Sequence, residues 1–286
     1  MLVKRNLLLF FRDRANVFFS LLAILIIIGL YVLFLGDSME RDLRAEAGFD
    51  SDKTGLVMAS IMLSGMVAVA SVTCSLGALG VSIADKQSAA KDFFTSPLSR
   101  GKITLSYILG SGAIGLIMTL IALVLCEAYI IVKGGSLPDA GACALLLLTV
   151  VLSVLCGNAM VFFITLFVKS QSAFTALSTV IGTMIGFLMG IYIPPGALPS
   201  YVQWVIKCFP MTHAASMFKQ ILADGALSDL FAGAPPAALE GFRESFGIVL
   251  TYGEFVSGFW FSAAVLLTAT VIFYAASLAV MGLRPQ

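Results

Sequence analysis

The sequence predicts an all-α membrane protein with six transmembrane helices, and its composition and apolar stretches are the basis of that prediction. Of the 286 residues, 59% are hydrophobic and 12% are charged, whereas a soluble domain carries about 25% charged residues. A helix rises about 1.5 Å per residue, so about 20 apolar residues cross the hydrocarbon core of a bilayer. Six stretches reach this length: 17–36, 56–84, 103–132, 140–168, 173–193 and 257–282.

Charged residues are divided unevenly between the segments that connect these spans. With the N-terminus on the cytoplasmic side, the cytoplasmic segments hold ten basic and three acidic residues, and the outside segments hold seven basic and twelve acidic residues. An excess of Lys and Arg near span ends is typical of the cytoplasmic side. The sequence therefore predicts a multi-pass protein of the cell inner (plasma) membrane with both termini in the cytoplasm.

The N-terminal segment before the first span, residues 1–16, mixes apolar side chains with Lys4, Arg5, Arg12 and Arg14. This mixture favours an amphipathic interfacial helix whose basic residues point toward anionic headgroups. A plain basic flank of the first span is the alternative. A cleavable signal peptide fits poorly, because the apolar stretch exceeds the usual length of about 7 to 15 residues and no A-x-A site follows it.

The cytoplasmic segment 85–102 has few β-branched residues and a proline near its far end. We therefore expect a short helix over about 85–97 that Pro97 closes. Phe93 and Phe94 would be costly to leave in water, at about 25 cal/mol per Å² of apolar surface, so they are expected to insert into a partner or into the membrane edge. An ordinary solvated loop is the alternative.

Residues 194–256 form a segment that is too long and too regular in pattern to be a simple outside loop. Pro210 divides its first part into two helical stretches of about half a bilayer in length, 199–209 and 211–223. Two short helices joined at a proline predict a re-entrant hairpin over about 194–223. Membrane depth allows such a hairpin only where it packs on protein.

The chain carries no recognisable catalytic or nucleotide-binding motif. It has no GxxxxGK[ST] loop to cradle phosphates, no HExxH, no GxSxG and no cluster of carboxylates with histidine. The five cysteines include no CxxC pair, so they indicate neither a metal site nor a disulfide framework. A net charge of +1 indicates no nucleic-acid partner. We therefore predict no catalytic residue, no metal and no cofactor in this chain.

Two ionisable residues have two interpretations each. Glu127 is the only charged residue inside a predicted span, and a carboxylate at the bilayer centre costs about 2.5 to 3.5 kcal/mol, so such an acid is a candidate for a transport path. It lies about 9 Å along a helix from Lys133, so it can instead reach the headgroups as a structural residue. His213 is the only histidine, and a lone histidine at the start of a short helix is more often structural than a switch.

Four stretches of the chain resemble the membrane subunit of ABC-2 type transporters, a family of six-span permeases that dimerise and sit on cytosolic ATPase subunits. The first resembles the family's N-terminal interfacial helix and first span, and the second resembles the end of its coupling loop. The third and fourth are similar to its fifth-span exit and its re-entrant hairpin. In order, the stretches are RNLLLFFRDRANVFFSLL (5–22), TSPLSRGKI (95–103), GIYIPPGALPSYVQ (190–203) and FPMTHAASMFKQILADG (209–225).

The resemblance implies roles for three groups of residues. A coupling helix over 85–97, seated in a groove of the ATPase, would include Asp85, Lys91, Phe93, Phe94 and Pro97, with Arg100 at its exit. The second and fifth spans would face a substrate path at the dimer axis, with Thr73, Ser75, Thr175, Ser178, Thr179 and Thr183 as candidates, and Glu127 is added as a path candidate because of its charge. An outer gate would include Pro194, Pro199, Trp204, Pro210 and His213. Residues 224–256 depart from the compact family pattern and are expected to form an external segment.

From the residues alone, the fifth span leaves two alternatives open. Gly182, Gly186 and Gly190 recur every four residues, a pattern typical of close helix packing. The hydroxyl groups of its Ser and Thr residues can line a path, but in spans such groups often bond their own backbone carbonyls.

These features predict the permease subunit of an ATP-driven exporter that moves an amphipathic substrate outward, such as a drug, a peptide or a lipid-like molecule. ATP and magnesium are expected in a separate cytosolic ATPase chain. The other expected partners are membrane lipid and a second permease copy or a related permease. The alternative is an ion-gradient-driven carrier or channel that acts without an ATPase, which the scarcity of buried acids disfavours. A non-transporting membrane scaffold is a further alternative.

Overall fold

The computed structural model describes residues 2–30, 51–88 and 100–283, and most of them are helical. The helices are α1 (Leu2–Arg12), α2 (Arg14–Leu30), α3 (Ser51–Ser88), α4 (Arg100–Val132), α5 (Ala140–Thr165), α6 (Gln171–Leu188), α7 (Ser200–Cys208), α8 (Pro210–Leu222), α9 (Asp224–Leu230), α10 (Pro236–Ser245) and α11 (Phe259–Leu283). A 3₁₀ turn spans Pro195–Ala197, and β1 (Thr251–Tyr252) pairs antiparallel with β2 (Phe255–Val256).

Within the described residues, five helices are long and apolar enough to cross a membrane. Their candidate spans are Lys53–Gly80, Gly101–Val132, Ala140–Thr165, Gln171–Leu188 and Phe259–Gly282. These correspond to the second to sixth predicted spans and confirm the all-α membrane class. The first predicted span, 17–36, begins in α2 and runs beyond the described residues, so the total of six stays a prediction.

Helix α3 lies at the centre of the bundle, where α2, α4, α5, α6, α8 and α9 all contact it. Small residues let these helices approach closely, as is typical of membrane bundles. A Cβ on Gly115 of α4 would lie 2.6 Å from Ser75 Oγ, and one on Gly157 of α5 would lie 3.4 Å from Val72 Cα. The Ser75 hydroxyl needs no partner on another helix, because it donates to the carbonyl of Ser71 at 2.7 Å.

Helix α1 is a separate element that packs on the first turns of α4. The Asn6 side chain donates from Nδ2 to the carbonyl oxygen of Ser106 at 3.2 Å, and Phe10, one turn further along, is fully buried. Leu8 and Phe11 remain exposed. This two-sided pattern fits the interfacial position predicted for α1, which stays a prediction.

Most predicted span boundaries differ from the structure by a few residues, and α3 and α4 begin earlier than predicted, at Ser51 and Arg100. Helix α3 continues one turn past its predicted end to Ser88, because no glycine or proline interrupts it there. Asp85 therefore lies in α3 rather than at the start of a separate coupling helix. Helix α5 ends slightly early at Thr165. Helix α6 ends at Leu188, because Gly190 adopts a φ of +62° that breaks the helix.

Residues 195–256 form a cap over one end of the bundle, and α8 is the part of the cap that inserts between the spans. A hydrophobic cluster joins the cap to the start of α3, where Val57 and Ile61 pack with Leu227 and Ile248. The segment 224–256, predicted only as external chain, contains α9, α10 and both strands. The cap therefore lies at the end of the bundle opposite α1.

Candidate functional site

Helix α8 is the buried half of the helical hairpin formed by α7 and α8. Every residue from Met211 to Lys219 is buried, since α8 contacts α3, α5 and α11. The helix begins at Pro210, where a missing backbone donor costs nothing. Near its end, Lys219 Nζ donates to the carbonyl oxygen of Phe246 at 2.8 Å, and burial lowers the pKa of this lysine to about 8. These contacts hold α8 to the spans and to the rest of the cap.

Helix α7 is the exposed half of the same hairpin. It contacts chiefly α8 and the 3₁₀ turn, and Tyr201, Trp204 and Val205 are 74%, 56% and 57% exposed. Its last turn is held by β1, where the Tyr252 hydroxyl donates to the carbonyl oxygen of Lys207 at 2.8 Å. Helix α7 is thus attached at few points, whereas α8 is packed along most of its length.

The five residues predicted for an outer gate lie along this hairpin in different surroundings. Pro194 precedes the 3₁₀ turn, Pro199 precedes α7, and Pro210 begins α8. Each proline fixes the direction of the chain at a helix boundary. Trp204 is exposed on α7, while His213 is buried in α8. The structure therefore places the set along one hairpin, but it separates the exposed member from the buried one.

His213 is hydrogen-bonded through both ring nitrogens. Nδ1 lies 3.1 Å from Ser262 Oγ on α11, and Nε2 lies 3.1 Å from the Tyr252 hydroxyl on β1. Because that hydroxyl donates to the Lys207 carbonyl, it accepts from Nε2–H, which leaves Nδ1 to accept from Ser262. The neutral ring is satisfied, and burial lowers the pKa of His213 to about 4. The ring thus joins α8, α11 and β1.

We expect acid to destabilise the protein through His213. The ordinary histidine pKa is about 6.5, and the folded value is about 4, so between these values the unfolded chain binds a proton that the folded chain does not. This contribution is complete above the ordinary pKa and is lost as pH falls toward the folded one, by up to about 3 kcal/mol. In melting curves of detergent-solubilised protein recorded between neutral and mildly acidic pH, the wild type should lose more stability than His213→Phe.

The comparison isolates one group, because His213 is the only histidine and the carboxylates are common to both proteins. Equal losses in the two proteins would contradict the assignment of a buried, neutral imidazole to the folded state.

Four of the residues predicted for a substrate path lie on α6, whose surface is largely exposed. The hydroxyls of Thr175, Thr179 and Thr183 donate to the carbonyl oxygens one turn earlier at 3.1, 3.0 and 3.0 Å. These bonds are of the type expected for hydroxyls within spans. The fourth hydroxyl, on Ser178, is buried and has no hydrogen-bond partner among the described residues.

The two path residues predicted on α3 do not face the same space. Ser75 is fully buried against Gly115, whereas Thr73 is half-buried and bonds the carbonyl of Val69 at 3.1 Å. Residues two apart on a helix point to roughly opposite sides. The structure therefore separates Thr73 from Ser75, and both from the exposed hydroxyls of α6.

Glu127 lies in the wall of a cavity of about 540 Å³ beside the cap. The α4–α5 connection and α9 form other parts of that wall. Three further carboxylates, those of Asp139, Asp224 and Asp229, line the same space. Sequence analysis missed this grouping. The available signal was the concentration of acids in the outside segments.

Of the six residues predicted to contact an ATPase, two belong to the part of the chain that the structure describes. Asp85 lies in the last turns of α3, and Arg100 begins α4. Both therefore lie at the end of the bundle opposite the cap. The other four fall outside the described residues: Lys91, Phe93, Phe94 and Pro97.

A buried amide that sequence analysis also missed connects three spans. Asn158 on α5 donates from Nδ2 to the carbonyl of Ile108 at 3.0 Å and to the Tyr274 hydroxyl at 3.3 Å, and its Oδ1 accepts from Ser111 at 2.8 Å. A polar side chain within an apolar stretch was the available signal, because such residues usually face the bundle interior.

Comparison of the sequence with known protein families shows which family the chain belongs to. A model of the family described as ABC-2 type transporter matches residues 1–223. The match begins at α1 and ends just after α8, so it includes the first five predicted spans and the hairpin. No curated protein matches the chain. Because the matched region is well over half of the 286 residues, the chain belongs to the ABC-2 type transporter family.

Proposed function

We propose that this chain is the membrane-spanning permease subunit of an ATP-driven exporter, which moves an amphipathic substrate outward together with a separate cytosolic ATPase. The observation that carries the proposal is the family match over residues 1–223. ATP and magnesium would be bound by the partner, and a second permease copy or a related permease would complete the transporter.

The distribution of charge supports an assignment of sides. Segments at the α1 end carry the excess of basic residues, and the acids are concentrated in residues 37–55 and in the cap. An excess of Lys and Arg favours the cytoplasmic side. We therefore assign α1 and the segment between α3 and α4 to the cytoplasmic side of the inner membrane, and the cap to the outer side.

The packing around α3 supports a route from the ATPase to the outer side. This helix has 38 residues, begins under the cap and ends at the segment proposed to contact the ATPase. Nucleotide acts only through different affinities for the transporter's conformations. A displacement of the coupling segment would reach α8 through the contact of α3 with α8. Coupling between distant sites requires a packed element with two alternative arrangements, and in this proposal α3 is that element.

The hairpin and α6 have separate parts in this proposal. Helix α7, with few contacts, is the element that would move as an outer gate, while α8 stays packed between the spans. The exposed side of α6, which carries Thr175, Thr179 and Thr183, would face the second permease across the substrate path. Glu127 is placed elsewhere, beside the cap.

The coupling segment provides the direct test. Each phenylalanine lost from a packed contact costs about 3 to 5 kcal/mol, so the double variant Phe93→Ala with Phe94→Ala should lower recovery of the ATPase in a detergent pull-down by about tenfold or more. Phe255→Ala is the matched control, because Phe255 is 49% exposed on β2 at the opposite end of the protein. Its ATPase recovery should equal that of the wild type.

The readouts distinguish the classes of transporter. ATP-dependent substrate export by the reconstituted chain and its copurified ATPase supports the proposal. Transport by the isolated chain in response to an ion gradient would instead support the carrier. Unchanged ATPase recovery and unchanged ATP turnover in the double variant would reject the coupling role of the two phenylalanines.

A further inference from the structure

The cavity beside the cap has no part in the transport route proposed above. It is bounded by the cap-side ends of α3 and α4, by the α4–α5 connection and by α9. Its volume of about 540 Å³ lies within the range of small-molecule sites, about 300 to 1,000 Å³. It is therefore large enough for an organic ligand.

The wall of the cavity is strongly acidic. Of the described residues that line it, four are carboxylates and none is basic. Arg243 lies beside it and pairs with Asp224 at 2.8 Å, and Lys53 directs Nζ to the backbone carbonyl of Asp229 at 3.4 Å. Glu127, Asp139 and Asp229 form no ion pair with another described residue. This unbalanced negative charge favours a cationic ligand.

A buried hydroxyl is a second and independent indication of a ligand. Ser60 belongs to the cavity wall and is 1% exposed. Its hydroxyl has no hydrogen-bond partner in the part of the chain that the structure describes, although its carbonyl accepts from Ser64. A buried hydroxyl without a partner destabilises a protein, so such a group calls for a bound partner.

The remaining wall indicates which cation fits. Apolar side chains, including Leu56, Ile130 and Leu222, form part of the surface. Among the described residues, no three His, Cys, Asp or Glu side chains lie close enough to hold a metal ion, and calcium requires about six to eight oxygen ligands. A positive charge joined to a hydrocarbon group matches both parts of the wall.

We propose that this cavity binds an organic ammonium ion. The nitrogen lies beside Glu127 in the field of the acidic wall, the alkyl group packs on the apolar wall, and Ser60 supplies a polar contact on the buried side. Binding at this site requires neither the ATPase nor a direction of transport.

Calorimetric titration of the full chain in nanodiscs of zwitterionic lipid tests the proposal, with hexylammonium chloride as the probe. Saturable binding is expected, and Glu127→Gln should weaken it by about tenfold or more. The matched control is Glu254→Gln, which makes the same charge change at an exposed position outside the cavity and should leave the affinity unchanged. Asp229→Asn, at an exposed position in the wall, should also weaken binding if Glu127→Gln fails to fold.

Ser60→Ala separates binding from a purely structural role. It should raise the melting temperature of the free protein, because it removes a buried hydroxyl without a partner, and it should weaken hexylammonium binding several-fold. A structural serine would change only the melting temperature.

Three results would overturn the proposal. Hexanol binding as tightly as hexylammonium would show a purely apolar cavity, and calcium binding in its place would show a metal site. Equal weakening in Glu127→Gln and Glu254→Gln would show an effect of general surface charge. Since the assay contains no ATPase, each result would leave the proposed transport function standing.

Discussion

Replacing Gly157 with leucine should strongly lower the stability of the folded protein. A Cβ at this position would lie 3.4 Å from Val72 Cα and 3.5 Å from the Ser71 carbonyl oxygen, which are backbone atoms of α3. Backbone cannot rotate away from a larger side chain, so α5 would have to separate from α3. Overpacking of this kind costs about 1 to 3 kcal/mol and occasionally more, a large share of a total stability of about 5 to 15 kcal/mol.

The measurement is the monodisperse fraction on size exclusion together with the melting temperature in detergent. Gly182→Leu is the matched control, because it makes the same substitution where a Cβ would meet nothing within 4 Å in this chain. It should fold as well as the wild type, and Gly157→Ala should be intermediate. Similar melting temperatures for Gly157→Leu and Gly182→Leu would show that the α3–α5 contact does not limit stability.

Crosslinking α7 to β1 should abolish export while the ATPase remains bound. The two elements meet where Lys207 Nζ lies 3.3 Å from Thr251 Oγ1. Strand β1 is itself anchored to α8 through the contact of Tyr252 with His213. A link at Lys207 and Thr251 therefore attaches the loosely held half of the hairpin to its buried half. Export should fall by about tenfold or more, because holding one conformation removes the alternation on which the cycle depends.

The experiment uses Lys207→Cys and Thr251→Cys with a short, reducible bifunctional thiol reagent. The background carries Cys143→Ser and Cys208→Ser, because both of these cysteines are exposed. Export is measured in vesicles before and after reduction. Each variant with only one of the two introduced cysteines, treated with the same reagent, controls for the effect of modifying that thiol without forming a crosslink. ATP turnover coupled to transport should fall with export and recover on reduction. Full export with a complete crosslink would show that α7 is a static lid and that the gate lies elsewhere.

The glycines of the predicted fifth span, 173–193, show how one sequence pattern can have several structural causes. Gly182, Gly186 and Gly190 recur every four residues, which favoured a common packing stripe. Within this chain, a Cβ at Gly186 would lie 2.3 Å from the Tyr192 ring, one at Gly182 would meet nothing within 4 Å, and Gly190 takes a positive φ. The spacing in the sequence therefore identified these three glycines, but their surroundings in the structure differ. Gly186 lies against a ring, Gly190 adopts a positive φ, and Gly182 has open space beside it within this chain.

For the hairpin of α7 and α8, the sequence predicted the two short helices but not which of them is buried. The break at Pro210 predicted two short helices, and the structure forms α7 and α8 there. Hydropathy did not distinguish the exposed α7 from the buried α8, because burial depends on contacts with α3, α5 and α11. Asn158 and Lys219 were likewise recognisable as polar residues only, until their partners on other elements were known.

The membrane class and the approximate spans follow from residue order alone, because a bilayer selects for length and hydropathy, and both are local properties of the chain. The helix ends were less accurate, since α6 ends where Gly190 adopts a positive φ. The grouping of Glu127 with Asp139, Asp224 and Asp229 in one cavity required the tertiary structure. Glu127 and Asp139 are far in sequence from Asp224 and Asp229, and only the packing of the cap against α3 brings the two pairs together.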